Sequence, residues 1–154
     1  MHELFEQEYP KYEKSLFLIA VAYLHSTEDA KDAVQEALLS AYRSIDSLKN
    51  REYFKTWLTR IVINKCKNAL RARKNTEELS DELNVFYNMP LADFEIMDAV
   101  CRMDKGESVY IILRFYNEMN YNEVAKTLCQ PVSTVKYRTK KALEKLKRVL
   151  EGDV

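Results

Sequence analysis

Glycine and histidine each occur only twice in 154 residues, and both scarcities exclude chemistry. Gly106 and Gly152 stand far apart, so no phosphate-cradling loop of the GxGxxG or GxxxxGKS kind can be written. His2 and His25 sit in no metal-ligand or triad-like setting. Cys66, Cys101 and Cys129 are odd in number and widely spaced, with no CxxC, which argues against zinc and against a disulfide framework. Buried thiols in a reducing cytoplasm are expected. The longest apolar run, Leu16 to Leu24, is about half of what a bilayer span requires. The start, MHELFEQEYP, lacks the basic-then-apolar plan of a secretory signal. No acid–base pair, nucleophile constellation or metal set appears, so no enzyme activity, metal or cofactor is expected. With three prolines and few β-branched runs, the chain reads as all-α, soluble and cytoplasmic, with no direct membrane insertion.

What is present is charge in zones. The total is zero, yet residues 49–75 hold nine Lys or Arg against one Glu. Residues 76–98 hold seven anions and no cation, and residues 133–150 hold seven cations against one anion. Two basic blocks around an acidic one imply two surfaces for a polyanion, nucleic acid foremost, and a linker that avoids it. In the first block Phe54, Trp57, Leu58, Ile61, Val62, Lys65 and Ala69 recur at helical steps and form one flank directed to a core. Arg60, Asn64, Lys67, Arg71 and Lys74 recur along a separate, solvent-facing flank.

Before that helix, a segment from Leu4 to Leu24 is expected to bury Leu16, Ile19, Ala20 and Tyr23 on one side. Pro10 either opens or kinks it. Ser26 and Asp29 are placed to form a capping box for the next helix. That helix buries Ala30, Ala33, Val34, Ala37, Leu38, Ala41 and Ile45. It exposes Asp29, Asp32, Gln35, Glu36 and Leu39, an acidic face that is either solvated or kept for a protein partner. Asp46 to Asn50 then makes a turn.

After the acidic stretch, Phe94, Met97, Val100 and Cys101 mark one helix and Val109, Ile112, Leu113 and Tyr116 another. Asn120 to Glu123 is a second capping box, opening a short helix. The CQPV segment breaks the chain, and Ser133 is expected to cap a final helix with Val135, Ala142, Leu143, Leu146 and Val149 inward. A short helix, a tight break and a longer basic helix is helix-turn-helix layout. Its second helix would offer Ser133, Thr134, Lys136, Tyr137 and Arg138 to phosphates and base edges.

Three segments together resemble the sigma-70 family of bacterial RNA polymerase sigma factors, in its extracytoplasmic function (ECF) group. They are DAKDAVQEALLSAYRSIDSL (29–48), YFKTWLTRIVINKCKNALR (53–71) and YNEVAKTLCQPVSTVKYRTKKALEKL (121–146). The resemblance implies two small helical domains, region two over 1–75 and region four over 93–154, joined by an acidic linker at 76–92. It implies core RNA polymerase, promoter DNA and an anti-sigma factor as partners. Asp32, Val34, Gln35, Glu36, Leu39 and Tyr42 match the helix that docks on the β′ clamp helices. Leu48, Lys49, Asn50 and Arg51 match the loop that takes an extruded base of the minus-ten element. Arg60, Ile63, Asn64, Lys67 and Arg71 match the helix beside that element. Lys136, Tyr137, Arg138, Lys140 and Lys141 match the helix that reads the minus-thirty-five element, and the outer face of region four binds the β flap. Cys129 and Ser133 stand where the family often has glycine, and Asn68 where aspartate is common. A stand-alone helix-turn-helix regulator is the alternative. With modest cores, the two domains are expected to move relative to each other.

Overall fold

The second half of α1 (His2–Leu24) is apolar on every side, and that decides where it sits. Leu16, Leu18, Ile19, Ala20, Val21, Ala22 and Leu24 are all 1% exposed or less. A helix hydrophobic all round needs neighbours all round. The computed structural model describes residues 1–73 and 91–152, with the side chains of 91–94 and 105 left aside. It supplies those neighbours as α2 (Thr27–Arg43), α3 (Phe54–Arg73), α4 (Leu91–Arg102), α5 (Lys105–Ile111) and a π-helical turn at Ile112–Tyr116. α2 and α3 pack on α1 and on each other, and α4, α5 and the π turn meet α1 as well. α6 (Tyr121–Leu128) and α7 (Val132–Leu150) complete the chain, and α7 packs on α4, α5 and α6. No strand occurs among the described residues.

Local chemistry fixes the ends of these elements. His25 takes the left-handed conformation (φ 49°) and donates its N–H to the Val21 carbonyl, closing α1. Ser26 Oγ then accepts the Asp29 N–H at 3.2 Å, a cap worth about 1 kcal/mol. The reciprocal arm expected at Asp29 is replaced, because its carboxylate pairs with Arg73. Pro10 lies inside α1, which runs through it. The turn after α2 is built from 3-10 segments at Ile45–Ser47 and Arg51–Tyr53. In the second of these, Asn50 Oδ1 accepts the Glu52 N–H at 3.0 Å.

The Asn120–Glu123 capping box is complete. Glu123 N–H donates to Asn120 Oδ1 at 2.8 Å, and Asn120 N–H donates to the Glu123 carboxylate at 3.1 Å. α7 begins one residue earlier than its expected cap. Pro131 occupies the N-cap position and Ser133 lies exposed in the first turn, because the fixed φ of proline already sets the entry. Leu143, expected inward, is 37% exposed.

In this structure the two halves pack against each other. Residues from both join one buried cluster, with α1 between them. Helical periodicity says that a side chain is buried, not which neighbour buries it. The acidic linker at 76–92 lies almost wholly outside the described residues, as does Lys74.

Candidate nucleic-acid interface

α3 sorts its side chains as a two-faced helix should. Phe54, Leu58, Thr59, Val62, Ile63 and Cys66 are buried, while Arg60, Asn64, Lys67 and Arg71 are exposed along the other side. Ile63 is 3% exposed and belongs to the core, so it has no surface to offer a ligand. It sits one step from Asn64, and one residue on a helix is a turn of about 100°. Arg71 donates to Asn68 Oδ1 at 3.0 Å, which holds its guanidinium along the helix surface.

Beside the N-terminal half of α3 lies an open concavity of about 720 Å³, formed with the 3-10 turns. Leu48, Lys49 and Asn50 line one wall, and Arg60 and Asn64 reach it from α3. Leu48 is 7% exposed, so it forms floor more than rim, while Lys49, Asn50 and Arg51 are open to solvent. Tyr53, Thr56, Trp57 and Ile61 line the same space and were not foreseen there. Trp57 and Ile61, on the flank expected to face the core, pack against its edge. They are half-buried, and they share the Tyr53–Trp57–Arg60–Asn64 flank at steps of four, three and four. An aromatic interleaved with cations on one flank was the signal available. The ring of Trp57 is held by Phe54, centroids 5.8 Å apart. A flat, half-exposed indole beside a guanidinium and an amide is chemistry suited to an unpaired base.

The second basic surface is α7. Val135, Thr139, Ala142 and Leu146 make its buried stripe. Ser133, Lys136, Tyr137, Arg138, Lys140 and Lys141 are exposed, and Thr134 is half-buried. Tyr137 is 61% exposed, with Lys141 Nζ 5.6 Å from its ring centre. Lys136 Nζ lies 5.8 Å from the Tyr121 ring. Arg138 approaches the Tyr110 hydroxyl at 3.5 Å, and that hydroxyl lies 2.6 Å from Gln130 Oε1 in the turn. The turn residue Cys129 has φ 55°, the left-handed geometry that explains why glycine suits this position.

Two further surfaces are apolar. Leu39 (57% exposed) and Tyr42 (39%) stand with Gln35 beside a shallow concavity that Phe5 and Tyr9 of α1 complete. Asp32, Gln35 and Glu36 are exposed next to it, whereas Val34 is 6% exposed and faces α1 and the core. On the far side Ile96, Phe115 and Leu143 border a cavity of about 240 Å³ that is apolar in its lining. Among the described residues there is no cluster of His, Cys, Asp or Glu able to hold a metal ion. Among them also, no helix is long and apolar enough to cross a membrane.

Family models described as Sigma-70 region 2 and Sigma-70, region 4 match residues 9–76 and 103–148. The chain is 30% identical over 162 residues to the ECF RNA polymerase sigma-E factor of Escherichia coli K12, covering 86% of this chain and 84% of that one. It is 28% identical over 142 residues to RNA polymerase sigma factor SigV of Bacillus subtilis, covering 90% and 85%. Among solved structures it is similar to the sigma factor RpoE of Bartonella quintana, crystallised with the anti-sigma factor NepR. That likeness has a TM-score of 0.83 at 22% identity, over 97% of this chain and 98% of that one. CnrH, solved with the cytosolic domain of CnrY, is similar at a TM-score of 0.68 and 23% identity, over 97% and 89%.

Proposed function

The chain belongs to the sigma-70 family, with a region 2 followed by a region 4, and from that premise we propose that it is an ECF sigma factor. In this reading it binds core RNA polymerase, directs it to promoters and starts transcription, without catalytic chemistry of its own. The observation that carries the reading is the aromatic and cationic concavity at residues 47–64 on the same chain as a helix-turn-helix. A repressor that binds a closed duplex has no use for an aromatic-lined apolar space beside cations. The relatives match across both halves, which disfavours the stand-alone regulator.

Opening DNA without hydrolysis must run on binding energy. Unstacking and extruding a base costs a few kcal/mol. Stacking on an aromatic returns roughly 1–3 kcal/mol. Trp57 and Tyr53 would supply the stacking surface, with Lys49, Asn50 and Asn64 as polar contacts. Arg60, Lys67 and Arg71 would hold the phosphates and gain counterion release. Lys136, Tyr137, Arg138, Lys140 and Lys141, with Ser133 and Thr134, would read the minus-thirty-five element in the major groove.

Asp32, Gln35, Glu36, Leu39 and Tyr42 form the face for the β′ clamp helices, acidic groups beside apolar ones to meet a basic amphipathic surface. The apolar cavity at Ile96, Phe115 and Leu143 is the place for the β flap. An anti-sigma factor is a further partner in this reading, and the cytoplasm, where the polymerase works, is its location. Run-off transcription with core polymerase and a set of candidate promoters tests it. Selective starts that depend on the added chain are expected, and starts no more selective than those of core enzyme alone would overturn it.

A further inference from the structure

Tyr110 of α5 is 2% exposed, and its neighbours Val109 and Ile111 are buried with it. A phenol in such a place keeps its hydroxyl from bulk water, so the hydroxyl needs partners inside the protein. It finds them in the helix-turn-helix. Gln130 Oε1, in the turn between α6 and α7, lies 2.6 Å away, and Arg138 Nη1, on α7, lies 3.5 Å away. We infer that Tyr110 and Gln130 are positioning residues for the minus-thirty-five element. They set the direction in which Arg138 meets the DNA, and with it the base pair that Arg138 reads. The inference rests on the sigma-factor reading and deepens it at the second basic surface.

The donor and acceptor inventory fixes the polarity of the relay. A guanidinium has donors and no acceptor, and a phenol has one proton. Tyr110 therefore donates that proton to Gln130 Oε1 and turns its lone pairs to Arg138. Gln130 is itself held, because its backbone N–H donates to the Ala125 carbonyl at 3.0 Å and Pro131 restricts the backbone that precedes it. The Arg138 contact is longer than the roughly 2.7–3.2 Å of a full N–H···O bond. It steers the guanidinium more than it clamps it, and leaves most of the N–H donors for DNA.

The place of Arg138 on α7 shows what the steering achieves. It follows Val135 by three positions and precedes Ala142 by four, so it borders the buried stripe. Lys136 and Lys141 rest instead on the rings of Tyr121 and Tyr137. A long arginine at a helix edge has many rotamers, and these reach different bases and phosphates. Bidentate reading of one base pair needs a single direction. A contact to a hydroxyl set in the core selects that direction before DNA arrives, which lowers the ordering cost of binding.

Tyr110→Phe keeps the ring and removes only the hydroxyl. Gln130→Met removes the acceptor and keeps the side-chain length, and Arg138→Ala removes the reader. Each full-length chain is assembled with core polymerase. The holoenzymes are titrated, at several salt concentrations, onto the promoter that gives the strongest polymerase-dependent start. The same promoter with each minus-thirty-five base pair replaced in turn completes the panel.

Arg138→Ala is expected to erase discrimination at one base pair and to lower the salt slope of binding by about one. Tyr110→Phe should lower discrimination at that same base pair about fivefold and leave the other positions unchanged. Its salt slope should match the original, since no charge is lost. Tyr110→Phe combined with Arg138→Ala should discriminate no worse than Arg138→Ala alone. A hydroxyl that only stabilised the fold would weaken every position alike and add to Arg138→Ala. If Tyr110→Phe fails to fold by circular dichroism, Gln130→Met decides by the same measurements. Folded variants with unchanged discrimination, uniform loss across the element, or an Arg138→Ala that alters no single base pair overturns the positioning role and leaves the sigma reading intact. Absence of polymerase-dependent starts in the original chain overturns the reading and this inference with it.

Discussion

Arg73 Nη1 donates to the Leu24 carbonyl at 2.8 Å, and the same guanidinium pairs with the Asp29 carboxylate. One side chain at the end of α3 thereby satisfies an open carbonyl at the end of α1 and an acid in the first turn of α2. Replacing Arg73 by alanine leaves both partners unmatched in a half-buried setting. A loss of about 1–3 kcal/mol is expected, seen as a lower urea midpoint. Arg73→Lys should recover only part, because an ammonium cannot fork to two acceptors as a guanidinium does.

That pair also marks how far the sequence could be read. Nine cations in residues 49–75 gave the right address for a basic surface, but charge counting treats them alike. Arg73 is spent on the fold, Lys55 on the interface between halves, and Lys65 is half-buried beside α2. Of the others described, Lys49 and Arg51 are exposed in the turn, and Arg60, Lys67 and Arg71 face out of α3 beside Asn64, on the flank that the helical period picked. The period was legible because both faces of α3 repeat within a single helix. Trp57 and Ile61 do pack against the core at the edge of the stripe, and what the stripe alone does not show is that they also line the concavity. The joint packing of the two halves includes contacts of Asn117 with Ser15, 102 positions away, and with Lys55, 62 positions away. No local pattern announces such a contact.

The two basic helices should separate when each is altered alone. Lys136→Ala removes an exposed cation from α7 and should weaken use of a minus-thirty-five element, one base-reading pair being worth roughly 1–3 kcal/mol. Arg138→Ala should do the same with an added stability cost, because its guanidinium also approaches Tyr110. Asn64→Ala, on the concavity, should spare initial promoter binding and reduce melting. Gel shift of the holoenzyme and permanganate reactivity of exposed thymines distinguish these outcomes. Equal loss of melting and binding in Asn64→Ala would detach that residue from opening.

Reversing the face beside Leu39 should abolish polymerase association. Gln35 and Glu36 are fully on the surface of α2, so Gln35→Lys with Glu36→Lys adds no buried charge and should leave thermal stability within about 0.5 kcal/mol. Co-purification with core polymerase should fall to background and run-off transcription with it. Retained co-purification would return that face to plain solvation.

The thiols give a test that needs neither DNA nor polymerase. Burial pushes Cys66 and Cys101 up to about 12 from an ordinary 9.0, with Arg73 pulling the first slightly back and Asp98 raising the second further. Tyr23, held beneath α3 and α5, is likewise pushed up to about 12, by burial first. Below pH 9 these thiols are protonated in folded and unfolded chains alike, and stability does not depend on them. Above it the unfolded chain sheds their protons first, so it binds fewer protons than the native state and stability falls as pH rises. Each thiol can contribute up to ~1.4 kcal/mol per pH unit in the window from 9 to 12. Urea midpoints at pH 8, 9 and 10 should therefore decline, and Cys66→Ala with Cys101→Ala should flatten the decline even though the cavities lower the starting value. A thiol reagent at pH 8 should label Cys129, which is exposed, and reach the other two only on unfolding. Native labelling of all three at one rate would mean that the helices around α1 do not pack as described.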